Sequence, residues 1–214
     1  MQDTRIGFIG AGNMASSIIG GLINRGQAPS LINASDLDTD KLDALAATTG
    51  LSAVSNDDIA LTCDVIVLAV KPQVMASVCT ALAASLNDRR PLIVSIAAGI
   101  TLTALERWFG SEAAIVRCMP NTPALVGSGA SGLFANARVS PAQRDIADQL
   151  LGAVGLSVWV DSEADIDSVT ALSGSGPAYF FLMMEAMQES AVKLGLTPAM
   201  AKSLTYQTAL GAAQ

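Results

Sequence analysis

Residues 5–15 read RIGFIGAGNMA. An apolar run, Ile6 to Ile9, passes directly into Gly10-x-Gly12-x-x-Ala15 and then into residues with helical spacing. A strand that turns through glycines into a helix brings bare backbone amides and the positive end of the helix dipole to one point. The missing side chains let a pyrophosphate approach closely, and Ala15 in the third glycine's place still permits helix and sheet to pack tightly. Amides and dipole together favour an anion by about 0.3 to 2 kcal/mol. The stretch predicts the first strand, turn and helix of a Rossmann-type dinucleotide-binding domain.

The rest of the chain continues that rhythm as far as residue 161. Short runs rich in Val, Ile and Leu at 30–35, 65–70, 92–97, 114–119 and 156–161 predict strands covered on both faces. Between them, helical patterns span 14–24, 39–48, 74–86, 103–109 and 141–154, so the fold class is α/β with a doubly wound sheet. Beyond Asp161 only helical patterns follow. Ser162 reads as an N-cap, Gly174 as a stop, Pro177 as the first turn of a long helix to about Leu194, and Thr197-Pro198 as another start. The composition therefore divides into a dinucleotide-binding domain over 1–161 and a helical substrate and dimerisation domain over 162–214. The last helical pattern, ending at Gln214, carries no capping signal, and a helical appendage this small is marginal alone. Either the natural chain continues or a second subunit completes it.

Composition narrows the partners. The 214 residues carry a formal net charge of -7, are 51% hydrophobic and contain no histidine. A negative field argues against nucleic acid or an anionic membrane as partner. No apolar run approaches the ~18 residues needed to span a bilayer, and no signal-peptide pattern opens the chain. Cys63, Cys79 and Cys118 are widely spaced and read as buried apolar residues in a reducing compartment, so the expected location is the cytoplasm. The second strand ends in NASDLD. Asp36 stands where an acid bonds the 2′-hydroxyl of an adenosine ribose, which favours NAD, while Ser35 beside it suits a 2′-phosphate. From these two residues the choice stays open.

Three more stretches make the pattern specific: AVKP at 69–72, CMPNTPALVGSG at 118–129 and LSGSGPAYFF at 172–181. With GFIGAGNM and SIAAG at 95–99, their order and spacing resemble the pyrroline-5-carboxylate reductases over essentially the whole chain. The resemblance implies NADPH-dependent reduction of the C=N bond of 1-pyrroline-5-carboxylate to L-proline, with NADH a possible alternative, and a homodimer or higher homo-oligomer formed through the C-terminal helices. It implies that Ile9, Gly10, Ala11, Gly12, Asn13 and Met14 hold the pyrophosphate, and that Ser35 and Asn56 lie near the adenosine. Ala69, Val70, Lys71 and Pro72 would line the cofactor, with Ala97, Ala98 and Gly99 at the nicotinamide end. Substrate would meet Met119, Pro120, Asn121 and Thr122, together with Ser173, Gly174, Ser175 and Gly176. The family's pattern continues into further helices and an SPGGTT-type loop, which lies beyond Gln214.

That chemistry suits a chain without histidine. Reduction of a ketone leaves an alkoxide that needs a proton donor, whereas a cyclic imine is protonated before hydride arrives. What remains is orientation, carboxylate capture and exclusion of water. No catalytic side chain is assigned: Tyr179 reads as packing, and Lys71 as a strand-end residue. A β-hydroxyacid dehydrogenase would look for a lysine in a GxGxxxK frame, and the same frame from Gly174 and Gly176 reaches Phe180. A non-catalytic dinucleotide sensor is the other alternative.

Overall fold

The computed structural model describes residue 1 and residues 3–214. Among these, one eight-stranded sheet has the order β3-β2-β1-β4-β5-β6-β7-β8. The strands are β1 (Ile6–Ile9), β2 (Ile32–Ser35), β3 (Ser52–Ala53), β4 (Val65–Leu68), β5 (Leu92–Ser95), β6 (Ala114–Met119), β7 (Gly129–Ala135) and β8 (Gly155–Trp159). The six from β3 to β6 are mutually parallel; β7 runs antiparallel to β6, and β8 parallel to β7. This is the doubly wound order with two strands added at one edge.

Alternating side chains of the strands feed two cores. Ile6, Phe8, Val65, Val67, Leu92, Val94, Ala114 and Val116 pack with Ile18 and Leu22 of α1 (Asn13–Asn24), Leu42 of α2 (Thr39–Thr49) and Leu150 of α6 (Pro141–Gly152). Ile9, Ile66, Leu68, Ile93 and Ile115 face the other way, onto Ile59 of α3 (Asn56–Thr62), Met75 and Leu82 of α4 (Met75–Ser85) and Leu105 of α5 (Leu102–Phe109). Both sheet faces are covered, which is why the strands read as unbroken apolar runs rather than alternating ones. Side chains fix the helix starts. Ser55 with Asp58 and Ser140 with Gln143 form reciprocal capping boxes, while Asp38 and Thr101 accept from Lys41 N and Ala104 N.

Beyond β8 the helix begins later than Ser162 suggests. α7 (Asp165–Val169) has no side-chain cap, and the backbone N–H of Ser162 instead donates to Asp165 Oδ2 at 3.1 Å. α7 passes into a π-helical turn, Thr170–Gly174, and packs on β6 and β7. It is anchored by Arg117 of β6, whose side chain is only 7% exposed. The guanidinium donates to Glu163 Oε1 at 2.9 Å and approaches Asp167 Oδ1 at 3.8 Å, and Glu163 Oε1 also accepts the N–H of Leu102 at 2.7 Å. The chain divides into compact units Met1–Gly174 and Ser175–Gln214.

The second unit holds α8 (Gly176–Lys193) and α9 (Pro198–Ala213), the latter capped by Thr197, which accepts from Met200 N. Phe180, Phe181, Leu182 and Met183 are more than half exposed on consecutive positions of α8, and Leu204, Tyr206 and Leu210 are so on α9. A helix that is apolar nearly all round calls for cover on several sides. No helix among the described residues is long and apolar enough to cross a membrane.

Candidate active site

The parallel strands end in register. Ile9 pairs with Ser35 and with Leu68, Leu68 with Ser95, and Ser95 with Arg117, two residues before β6 ends at Met119. The segments after those pairs therefore emerge side by side along one rim: Gly10–Met14 after β1, Asp36 after β2, Ala69–Pro72 after β4, Ala97–Gly99 after β5 and Pro120–Thr122 after β6. The rim is centred where the connections diverge, β1 crossing to β2 on one side and β4 lying on the other. That switch point is where open α/β sheets bind ligands.

The two loop glycines differ in what holds them. Gly10 has φ 100, and a Cβ there would fall 2.8 Å from the carbonyl oxygen of Ala69, so the turn itself requires glycine. Gly12 has φ -69 and ψ 176, open to any residue, and a Cβ on it would meet no atom nearer than Lys41 Nζ at 3.9 Å. Packing within the protein makes no demand for glycine at 12. A pyrophosphate lying against the loop and the N-terminus of α1 does, so the residues fit a dinucleotide.

At the end of β2, Ser35 is buried and its hydroxyl donates to Asn56 Oδ1 at 2.5 Å, joining that strand end to the first residue of α3. Asp36 accepts the N–H of Ala11 at 2.6 Å and that of Asp38 at 3.0 Å. Partial burial works to raise the Asp36 carboxyl, but those N–H donors, the Lys41 ammonium and the N–H of Leu37 outweigh it and hold the carboxyl below its ordinary range. After β5, Ala97 is buried and its N–H meets Ser95 Oγ at 3.5 Å, while Ala98 and Gly99 are exposed. Lys71 is exposed and precedes a 3-10 turn, Pro72–Val74.

The remaining segments meet through Asn121, which is 8% exposed. Its Nδ2 donates to the carbonyl of Ser173 at 2.9 Å, and its Oδ1 accepts the N–H of Ala130 at 2.8 Å. The last carbonyls of a helix lack intrahelical partners, so the end of the π turn is free to take this bond. Gly174 lies beside Met119, whose Cε would stand 2.8 Å from a Cβ on the glycine. Ser173 and Gly174 are thus packed against Met119 and Asn121, with Thr122 exposed at the start of the 3-10 turn Thr122–Val126. Ser175 and Gly176 open the second unit, where Gly176 is the first residue of α8. The three thiols are buried and unpaired; burial pushes Cys79 up to about 12 and raises Cys63 and Cys118, so none supplies a thiolate nucleophile.

A curated protein of Pseudomonas aeruginosa named pyrroline-5-carboxylate reductase is 55% identical, the match covering 100% of this chain and 78% of that one. The chain belongs to the pyrroline-5-carboxylate reductase family. Residues 163–214 match the family model "Pyrroline-5-carboxylate reductase dimerisation", and residues 5–99 match "NADP oxidoreductase coenzyme F420-dependent". The solved reductase of Coxiella burnetii superposes with a TM-score of 0.94 at 48% identity, covering 98% of this chain and 78% of that chain. That of Plasmodium falciparum, with NADP bound, gives 0.87 at 33% identity, covering 99% and 78%. The family's reaction is an oxidoreduction, its substrate a small molecule, and the dimerisation domain makes the protein a homo-oligomer.

Two features of the rim escape a reading of motifs. The side-chain amide of Asn121 is engaged by protein groups at both ends, and Lys41 stands over the glycine loop. The capping-box spacing Ser55-x-x-Asp58 does signal the start of α3, and with it the placement of Asn56.

Proposed function

We propose that this reductase converts 1-pyrroline-5-carboxylate to L-proline with NADPH, the last step of proline formation, at the rim formed by the ends of β1, β2, β4, β5 and β6. Ile9–Met14 hold the pyrophosphate, Ser35 and Asn56 the adenosine, Ala69–Pro72 the body of the cofactor and Ala97–Gly99 its nicotinamide end. Bound there, NADPH supplies the hydride. Met119, Pro120, Asn121, Thr122, Ser173 and Gly174 form the substrate side; Ser175 and Gly176 join that set on the sequence motif alone.

The observation that carries this division of labour is the Asn121 bridge. It fixes Ser173 and Gly174 against the end of β6, on the same rim as the glycine loop. Those residues offer backbone amides, small hydroxyls and no titratable side chain. The substrate's own chemistry needs little more. Its imine nitrogen takes a proton from water, the iminium carbon is then electrophilic, and the residues orient the ring, receive the carboxylate and keep water from the reacting carbon. A substrate segment without a titratable side chain fits an imine better than a ketone.

Purified protein given NADPH and 1-pyrroline-5-carboxylate should form L-proline in step with cofactor oxidation, at a turnover of about 1 per second or faster. Tight NADPH binding with no proline formed would replace this reading with that of a cofactor sensor.

A further inference from the structure

Segments of the rim meet at one carboxylate that lies outside all of the motifs. Glu163 stands between β8 and α7, with its side chain 27% exposed. Its Oε1 accepts the backbone N–H of Leu102 at 2.7 Å and the Arg117 guanidinium at 2.9 Å, groups 61 and 46 residues away along the chain. Leu102 is the first residue of α5, so its N–H is one of the donors a helix leaves unpaired, and a carboxylate there also complements the helix dipole. The residues before it, 96–101, include Ala97–Gly99. They leave β5 held by the bond from the Ile96 N–H to the Leu68 carbonyl at 3.2 Å, turn through Gly99 at φ 74, and are held again at Leu102. Arg117 stands two residues before Met119, and Glu163 opens the segment that runs through α7 and the π turn to Ser173 and Gly174. All of these residues lie within the unit Met1–Gly174.

We infer that Glu163 is a positioning residue for hydride transfer: through Leu102 and Arg117 it holds the segment at the nicotinamide end in place relative to the segment that receives the imine. This rests on the cofactor and substrate placements proposed above. Hydride crosses a short gap, and a misplacement of about 1 Å can cost on the order of a hundredfold in rate. The two halves of the site come from distant parts of the chain, so their spacing depends on a tertiary link. One oxygen shared by two N–H donors is a stiff link. Both bonds are charge-assisted, and Arg117 is only 7% exposed, so water competes little at that end. Asp167 is no substitute, since it lies 3.8 Å from the guanidinium and is 85% exposed.

The test compares E163A and E163Q with the unaltered whole chain in two measurements. One is NADPH affinity without substrate. The other is the rate of the first turnover when the NADPH complex is mixed rapidly with saturating 1-pyrroline-5-carboxylate, a primary isotope effect with C4-deuterated NADPH marking that phase as hydride transfer. E163A should slow the transfer about tenfold or more while changing the Kd for NADPH by no more than about threefold. E163Q should run within about twofold of the unaltered chain, because an amide oxygen still accepts from both donors. S140A is the control for lost stability: it removes the capping box of α6, which packs on the other face of the sheet from α5, and should lower the melting temperature with hydride transfer unchanged. Where E163A does not fold, E163D makes the same comparison and should show the same slowing, since it keeps the charge on a side chain one methylene too short to hold both donors. Transfer at the unaltered rate in the variant, a loss of NADPH affinity as large as the loss of rate, or equal slowing in E163Q overturns the role of Glu163 and leaves the proposed reaction standing. If the unaltered chain forms no proline, the proposed function falls and this inference with it.

Discussion

Replacing Gly12 with valine should weaken dinucleotide binding on the order of a hundredfold while leaving the fold intact. Glycine 12 has backbone angles open to any residue, and a Cβ there would meet nothing closer than the flexible tip of Lys41 at 3.9 Å. The protein therefore loses little. Its ligand loses the surface on which a pyrophosphate rests, because the branched side chain occupies that space and holds the amides of the α1 N-terminus at a distance. The Kd for NADPH should rise on the order of a hundredfold, about 2.7 kcal/mol, with circular dichroism and melting temperature nearly unchanged. Gly10 offers the contrasting case: its φ of 100 and the Ala69 carbonyl at 2.8 Å make any substitution there a folding defect. Unchanged NADPH affinity in G12V would remove the cofactor from this loop.

The second large effect lies in the ion pair behind the substrate side. Replacing Arg117 with methionine should cost about 3 kcal/mol of stability, measured as a shift in urea midpoint at fixed protein concentration. The volume is nearly kept, but Glu163 loses its partner. The figure sits at the low end for a broken buried pair because Glu163 is 27% exposed and Asp167 85% exposed, so water can take over part of the solvation. Glu163→Gln should cost less, about 1 kcal/mol, since its oxygen still accepts from Arg117 and from the N–H of Leu102. The change also reaches the site. Arg117 ties α7 to β6, α7 leads into the π turn, and the π turn delivers the Ser173 carbonyl to Asn121. R117M should therefore raise KM for the imine more than Kd for NADPH. Equal stability of R117M and the unaltered chain would mean that the pair is solvated in solution.

How much of this was legible follows from what each segment must bury. β4 and β5, VIVL and LIVS, lie under helices on both faces, so their sequences are Val, Ile and Leu runs that announce themselves. β7, GASGLFA, does not. Its Gly132 has Val169 of α7 against the backbone, 2.7 Å from where a Cβ would stand, and its Gly129 meets Ala124 at 3.0 Å. The strand is made of small residues because its neighbours pack onto the backbone, and a pattern of small residues looks like a loop. β3 has only two residues, both exposed, and leaves no periodic signal. The site divides in the same way. Glycine loop, AVKP, SIAAG and MPNT are contiguous and sit at strand ends, so the motifs alone place them on one rim. The Asn121 bridge spans 52 residues and the placement of Lys41 over Gly12 spans 29. Both depend on tertiary geometry that no local pattern encodes.

Hydride transfer to the imine carbon at this rim is most directly tested with NADPH carrying deuterium at both C4 positions. Incubated with the protein and 1-pyrroline-5-carboxylate, it should yield L-proline with one deuterium on the ring carbon that was doubly bonded to nitrogen, and G12V should yield far less at the same cofactor concentration. Proline formed without deuterium, or a protein that binds NADPH and leaves the imine untouched, would contradict the account.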